Sequence, residues 1–458
     1  MPTMTYALIA HPTEPRVLLL AGADGWGPLA LTTDEEGDVR AAIASVREQL
    51  AVETTALLRF PIAWQQIQPG DDEGDQVVAL EPHTWEWQPP SHARWIDRAE
   101  LVGLELARPD LRSPLEAWLA SVERVMPAQR VAWARVGWYD EAAAWMRAEA
   151  ERLGTPITGA VEQVKTSFWA CILRAETAHG ALYFKASAPA FGYETALTEA
   201  LAVRFPAYVP PVLAADLDRR WLLLADGGVS LRPAVRETRD PSLMEAALRR
   251  FAELQRATAA QTETLLATGC PDRRLAALPA QFDALVADRD ALLLGLPGGV
   301  PEAEYVRMRG FAPEMREMCA RLAGYGIPET LHHDDFGAGN VLVGADDVYR
   351  FFDWGESAVT HPFCSLMIAL RWARYLLDYD AATLDRLRDA YLAAWTERAP
   401  LAKLREAFAL AHRVGYLCRA LTYYEATAGI EPLLRGEYAD APGYWLRLFV
   451  NDAEPDEE

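Results

Sequence analysis

Four polar residues between positions 333 and 353 have types and spacings that could do chemistry: His333, Asp335, Asn340 and Asp353. Between Asn340 and Asp353 lie two short apolar runs, residues 341–343 and 348–352, separated by the turn Gly344-Ala345-Asp346-Asp347. Apolar runs flanking an Asp-rich turn predict a β-hairpin. Folding it back brings Asp335 and Asn340, which precede it, and Asp353, which follows it, to one edge. Oxygen-bearing side chains gathered this way make a hard-cation site, with a further carboxylate left to act as a base. The register needs a decision, because His332 and Asp334 repeat the spacing of His333 and Asp335. Five residues beyond Asp335 lies Asn340, an oxygen ligand; five beyond Asp334 lies Gly339, which has no side chain to ligate with. An ordinary polar hairpin explains any one of these residues, but not three at these separations around that strand pattern.

The elements upstream must position whatever meets this edge. Residues 157–164, 168–174 and 181–186 read as successive antiparallel strands, and the third ends in Lys185. A lysine there is a point charge placed to grip α- and β-phosphates. The helix expected over 193–205 offers Glu194 or Glu199 to hold that lysine. Glu194 is preferred, because Leu197 and Leu201 at i+3 and i+7 put it beside the buried face. The turn Lys165-Thr166-Ser167 has no glycine-rich phosphate loop, which leaves backbone amides or the hydroxyls of Thr166 and Ser167 to cover phosphates. A strand over 221–224 runs into Ala225-Asp226-Gly227-Gly228, a hinge, and backbone groups around Leu224 and Ala225 could hold an adenine edge. Beyond Leu231, helical spacing covers 242–258, 275–292, 302–322, 362–377, 381–397 and 404–428. The stripes Leu366-Ile368-Leu370 and Trp372-Tyr375-Leu376 read as core, and His412 and Arg413 as structural or surface residues.

Composition bounds the partners. The chain has 458 residues, half of them hydrophobic, and a formal net charge of −22. Such acidity argues against nucleic acid or an anionic membrane as the main partner and permits a cationic one. No apolar run approaches the roughly 20 residues that span a bilayer. The first residues lack the basic-then-apolar order of a signal peptide. Cys171, Cys270, Cys319, Cys364 and Cys418 are scattered, as expected for reduced thiols in a cytoplasmic protein.

Residues 1–120 form a separate α/β pattern. Strands at 6–9 and 17–20 precede a Gly-Trp-Gly-Pro-Leu turn and a helix over 39–50. Strands near 62–67 and 77–80, Trp85, Trp87 and Trp95, and a short helix over 98–104 follow. The order resembles the Nudix fold. That family's helix carries Arg-Glu followed by a Glu-Glu pair that binds magnesium, whereas here Arg47-Glu48 is followed by Gln49-Leu50-Ala51-Val52. The resemblance therefore implies a scaffold without hydrolase activity, with Glu48 and Glu53 as solvated helix charges.

His333-x-Asp335-x4-Asn340, with Asp353 beyond it and Lys185 before it, resembles the aminoglycoside phosphotransferase and choline kinase branch of the protein-kinase-like families. Asp353-Trp354-Gly355-Glu356-Ser357-Ala358 and then His361-Pro362 are similar to that branch's Asp-Trp-Glu-x-Ala…Pro pattern. Two positions depart from it: Asp334 stands where glycine is usual, adding charge beside the base, and Ser365 where aspartate is common, removing a buried anchor. The resemblance implies an α+β, bilobal protein-kinase-like fold with a small antiparallel β lobe over 157–228. A helical lobe over 229–450 carries the catalytic loop. The α/β Nudix-like domain precedes both, joined through a helical connector over 121–156, and an acidic tail occupies 451–458. It further implies that Asp335, with His333 in the same loop, is the base toward a substrate hydroxyl. Asn340 and Asp353 would hold Mg²⁺ on ATP or GTP, and Lys185, steadied by Glu194, would neutralise the phosphates. The expected activity is transfer of the γ-phosphate to a small acceptor, cationic or sugar-like. The alternative is a nucleotide-binding pseudokinase with the Nudix-like part as a ligand sensor.

Overall fold

Alternating and helical hydrophobic patterns become two compact units in the computed structural model, which describes residues 3–33, 39–62, 74–84, 86–123, 129–345, 348–431 and 438–452. One unit comprises Met1–Pro189 and Gly429–Tyr438, the other Ala190–Ala428 and Ala439–Glu458. Trp85, Asp346 and Asp347, the Met126-Pro127 stretch, most of the strand expected at 62–67 and the tail beyond Asp452 lie outside the described residues.

In the first unit, β1 (Thr3–Ala10) is flanked antiparallel by β2 (Val17–Gly22). The short β3 (Gly25–Gly27) extends β2, and β4 (Leu29–Thr33) pairs antiparallel with β1. After the helix Val39–Leu50 come β5 (Thr54–Pro61), β6 (Gln76–Pro82) and β7 (Ala93–Ile96); β6 runs parallel to β1 and antiparallel to β5. The helix buries Val39, Ala42, Val46 and Leu50 against Ala7, Ile9, Val78 and Leu80 of the sheet, a three-and-four spacing that puts one stripe on the core. The Trp87 indole N–H donates to the Leu50 carbonyl (3.1 Å), closing the helix end. Glu53 is not a helix charge as expected. It follows the helix and pairs with Arg47 at 3.9 Å in solvent.

A meander follows: β8 (Ile157–Thr166), β9 (Ala170–Thr177) and β10 (Gly180–Ser187), with Lys185 opposite Ile172. The Gln163 side chain joins β8 to β5 by bonding both the N–H and the carbonyl of Ala56 (2.7 and 2.8 Å). A fully buried ion pair, Arg130 with Glu431 at 3.0 Å, ties the later segment into this unit.

The second unit opens with the helix Tyr193–Arg204 and the antiparallel pair β11 (Val212–Asp216) and β12 (Trp221–Ala225). β13 (Val229–Ser230) leads into the helix Leu231–Thr238, which periodicity alone did not reveal because its eight residues bury only one i,i+4 pair, Leu231 and Val235. Then come β14 (Thr330–His333), β15 (Val341–Val343), β16 (Tyr349–Phe351) and β17 (Ser357–Thr360) among long helices. The expected hairpin is present, with Val341 opposite Phe351 and Val343 opposite Tyr349. β14 pairs with β17, His333 opposite Ser357. The helix Pro241–Thr258 packs beneath, its Phe251 ring 4.3 Å from Phe336 and 5.3 Å from Phe351. Burying each such ring stabilises the fold by roughly 2–3 kcal/mol. The helix expected over 302–322 is broken at Gly310-Phe311 into Glu302–Gly310 and Ala312–Ala323. This unit's mixture of short antiparallel ladders and helices is of the expected α+β class.

Candidate active site

Two ladders converge on one loop. β14 delivers His333 and β15 begins directly after Asn340, so the seven residues 334–340 are held at both ends. The Asn340 amide nitrogen donates to the Asp335 carboxylate (2.9 Å) and to the Asp335 carbonyl (2.8 Å). With the amide nitrogen so used, the side-chain oxygen of Asn340 is turned away from Asp335. The Phe352 N–H donates to the Asn340 carbonyl (3.3 Å), which brings the end of β16, and Asp353 after it, alongside. Asp353 adopts the left-handed conformation, φ 67° and ψ 59°, where the chain turns sharply into the buried Trp354. Aspartate tolerates this region better than most residues, and a non-glycine residue held there marks a constrained position.

His333 locks the same geometry from below. One ring nitrogen, Nε2, lies 3.0 Å from the Phe352 carbonyl and must donate to it, which leaves Nδ1 to accept the Asp335 N–H at 3.2 Å. Burial holds the His333 imidazole below its ordinary pKa, partly opposed by that carbonyl and by Asp335 and Asp353. The neutral ring is the form this pattern requires, since a second ring proton would face the Asp335 N–H.

The two departures noted in the sequence turn out to be one arrangement. The charge that Asp334 adds is met by partners in the interior. Asp334 is fully buried, with one carboxylate oxygen 3.2 Å from His332 Nε2 and the other accepting the Thr422 hydroxyl at 2.6 Å. The opposite His332 nitrogen, Nδ1, lies 2.8 Å from the Ser365 hydroxyl, which also accepts the His333 N–H (3.2 Å) and the Gln255 amide (3.3 Å). Ser365 thus fills the place of a carboxylate on one side of His332 while Asp334 supplies the carboxylate on the other. Burial alone would push Asp334 up; the His332 hydrogen bond and the nearby Arg419 charge outweigh it and hold the group below the ordinary carboxylate range.

Arg419 organises the remaining charge. Its guanidinium donates to the Asp334 carbonyl (2.6 Å), pairs closely with Glu356 and lies 3.8 Å from the Asp335 carboxylate. Burial pushes the Glu356 carboxyl up, with Asp335, Asp334 and Asp353 adding to the effect and Arg419 opposing it. Asp335 itself keeps 31% of its side-chain exposure. It opens into a cavity of about 300 Å³ whose wall includes Arg232, Arg236, Asn340, Trp372 and Leu376. Trp372 is a correction: read as core, it is 36% exposed, and its indole N–H reaches the Asp335 carboxylate at 3.3 Å. Tyr375 and Leu376 of the same stripe are exposed as well.

The other expected residues fall as follows. Glu194 is buried in the second unit, its carboxylate 3.2 Å from where a Cβ on Gly355 would stand, a tight approach to that loop. The neighbouring Tyr193 hydroxyl bonds the carbonyls of Gly355 (2.5 Å) and Ser357 (3.0 Å). Glu199 is exposed. Lys185 is half-buried on β10 of the first unit. The Ser167 hydroxyl bonds within its own turn, to Trp169 N (3.2 Å) and Ala170 N (3.3 Å), and Thr166 is buried. Leu224 sits opposite Val212 in the β11–β12 ladder, and the Ala225 N–H is taken by the Pro211 carbonyl at 3.0 Å. Sequence reasoning did not single out Arg232, Arg236 or Arg419. The readable signal was the like-charged i,i+4 pair Arg232 and Arg236.

A hard cation suits the donors present. The amide oxygen of Asn340 is left free of Asp335, and Asp334, Asp335 and Asp353 are all close enough to help push the Glu356 carboxyl up, with Arg419 opposing them. Among the described residues no three His, Cys, Asp or Glu side chains form a cage by themselves. That is the donor set expected for Mg²⁺, which binds through one or two carboxylates and completes its shell with water and phosphate oxygens.

A family model described as "Phosphotransferase enzyme family" matches residues 174–404. No curated protein matches the chain. Among solved structures, a choline/ethanolamine kinase family protein from Mesorhizobium loti is similar at 18% identity and TM-score 0.45, over 69% of this chain and 99% of that one. The choline kinase LicA from Streptococcus pneumoniae is similar at 12% identity and TM-score 0.46, over 67% and 97%. The macrolide 2'-phosphotransferase MphH from Brachybacterium faecium is similar at 18% identity and TM-score 0.42, over 69% and 99%. No helix among the described residues is long and apolar enough to cross a membrane.

Proposed function

The chain belongs to the phosphotransferase enzyme family, and we propose that it is a small-molecule kinase moving the γ-phosphate of ATP or GTP to a hydroxyl of a small acceptor. The observation that carries this reading is the Asn340-to-Asp335 hydrogen bond at the mouth of the cavity, with neutral His333 fixing the Asp335 backbone. A binding-only protein has no use for a carboxylate so held. Phosphoryl transfer asks the protein mainly for positioning and for charge neutralisation.

In this reading Asp335 accepts the proton of the acceptor hydroxyl. The Asn340 amide and the Trp372 indole orient its two carboxylate oxygens. Asn340, through its free amide oxygen, and Asp353 would hold Mg²⁺, which when bound neutralises charge on the nucleotide phosphates. Lys185 meets those phosphates, with Glu194 as its partner; the burial of Glu194 and the exposure of Glu199 favour that choice. Thr166, Ser167, Leu224 and Ala225 are assigned to the nucleotide as contacts of the phosphate-covering turn and the hinge. We further assign residues 157–228 and 229–450 to the two lobes of this kinase, preceded by a helical connector over 121–156. Residues 1–120 are assigned to a Nudix-like domain without hydrolysis. In that domain Ala51 takes a left-handed conformation at φ 52° and Val52 is buried, where a metal-binding pair would need carboxylates. The five thiols, all free and buried, fit a cytoplasmic location.

Asp335→Asn tests the assignment. Nucleotide consumption with a mixed set of hydroxyl acceptors should fall at least about 1,000-fold while Mg-nucleotide binding stays within about threefold of wild type. Undiminished transfer would remove Asp335 from the role of base.

A further inference from the structure

Two guanidinium groups stand in the wall of the cavity beside Asp335, unpaired by any acid among the described residues. Arg232 and Arg236 are four residues apart on the helix Leu231–Thr238 and so project from one face of it. Neither forms an ion pair among the described residues. The next helix shows the ordinary outcome: Arg249, Arg250 and Arg256 pair with Glu245, Glu253 and Glu397. Like charges at this spacing repel, and a chain of net charge −22 has carboxylates in excess to offset them. The Arg232 guanidinium lies close over Gly339, where a Cβ would come within 2.0 Å of it.

The rest of the wall is of a different kind. Trp372 and Leu376 present exposed apolar surface, and of the charged groups lining the cavity two are cations and one, Asp335, is an anion. We propose that the acceptor is an anionic hydroxyl compound, carrying a carboxylate or a phosphate ester. The anion would meet Arg232 and Arg236, the body would lie against Trp372 and Leu376, and the hydroxyl would face Asp335. The inference rests on the kinase reading above, and it replaces the cationic acceptor that the acidic composition permits. Guanidinium forks match both anions by paired, charge-assisted hydrogen bonds. In the transfer the hydroxyl oxygen bonds to the γ-phosphorus as its proton passes to Asp335. The bond from that phosphorus to the β–γ bridging oxygen breaks, and its electron pair leaves with the nucleoside diphosphate.

The test uses the full chain with Mg-ATP and Mg-GTP, reading diphosphate release with matched acceptors. 3-Phenyllactate and glucose 6-phosphate represent the carboxylate and phosphate classes, set against phenylalaninol and glucosamine as cationic counterparts. Turnover is expected only with an anionic member, the active class naming the anion. Arg232→Gln and Arg236→Gln should each raise the acceptor KM at least tenfold and leave the nucleotide KM within about twofold. Turnover of the cationic members, an unchanged acceptor KM in both variants, or a rise in the nucleotide KM instead would overturn the proposal. So would no turnover of either anion by a wild type that Mg-nucleotide stabilises against heat. A wild type that no Mg-nucleotide stabilises would instead bring down the kinase reading beneath it.

Discussion

Asp334 in the second unit and Glu81 in the first are both carboxylates in the protein interior, and their surroundings push them in opposite directions. Asp334 faces the His332 ring, the Thr422 hydroxyl and, at 4.0 Å, the Arg419 guanidinium. Glu81 accepts the Gly137 N–H (2.6 Å) and the Thr55 hydroxyl (3.4 Å), and no cation among the described residues pairs with it. Burial therefore dominates at Glu81, and its pKa is raised to about 7, whereas at Asp334 partners outweigh burial. At these two carboxylates the partners decide the direction, whereas at Glu356 burial and the neighbouring carboxylates outweigh even the close Arg419. Near the catalytic loop charge partners are abundant, and in the N-terminal sheet they are scarce.

The largest effect that would sharpen this contrast is on the Asp334 side. Asp334→Ala takes a carboxylate from the Thr422 hydroxyl, leaves one His332 nitrogen without its partner and removes one of Arg419's anions. It should cost about 3 kcal/mol in urea unfolding, with transfer falling too because His332 and Ser365 hold the backbone of His333. Adding the carboxylate back from the other side, as Asp334→Gly with Ser365→Asp, should recover more than half of that loss. A double variant no more stable than Asp334→Gly alone would break the idea that the two departures compensate. The pH signature has the same sense: stability from Asp334 is present above the ordinary carboxylate range and is lost as pH falls through its depressed pKa.

Glu81 should behave inversely. Its folded pKa of about 7 lies above the ordinary 4.5, so folding retains a proton that the unfolded chain releases between those values. Stability should fall as pH rises through that window, and Glu81→Gln should flatten the fall, gaining about 1–2 kcal/mol at pH 8. A wild type and variant with parallel pH profiles would mean that Glu81 finds a partner in solution. The smallest effect belongs to the exposed Arg47–Glu53 pair, where Glu53→Gln should change stability by less than about 0.5 kcal/mol.

The site was more legible than its supports. Asp335, Asn340 and Asp353 stand out through their spacing around a short hairpin, and the Val341–Val343 and Tyr349–Phe351 ladder forms where the two apolar runs place it. β14 and β17 were not legible. Their four-residue runs carry His332, His333, Ser357 and Thr360, polar groups whose burial depends on partners far away in the chain. Asp334 was misread for the same reason, because Thr422 and Arg419 reach it from a helix more than 80 residues later. Trp372, Tyr375 and Leu376 follow a helical stripe that periodicity assigns to the core, yet they stand at the exposed end of it. Of His412 and Arg413, read as structural or surface residues, Arg413 is structural: it bonds the carbonyls of Phe449 (2.7 Å) and Val450 (2.8 Å) at the end of the helix Ala441–Asn451.

Thermal unfolding with ATP and GTP, each with and without Mg²⁺, on wild type and Asp353→Ala, puts the proposed nucleotide site to the most direct trial. A ligand that binds only the folded chain raises its midpoint by mass action, and a 100-fold excess over Kd is worth about 2.7 kcal/mol. The expected result is a magnesium-dependent rise with at least one nucleotide in the wild type that is lost in Asp353→Ala. A rise that ignores magnesium, or that survives the substitution, would contradict the assignment of Asp353 as the ligand that ties the nucleotide to this loop.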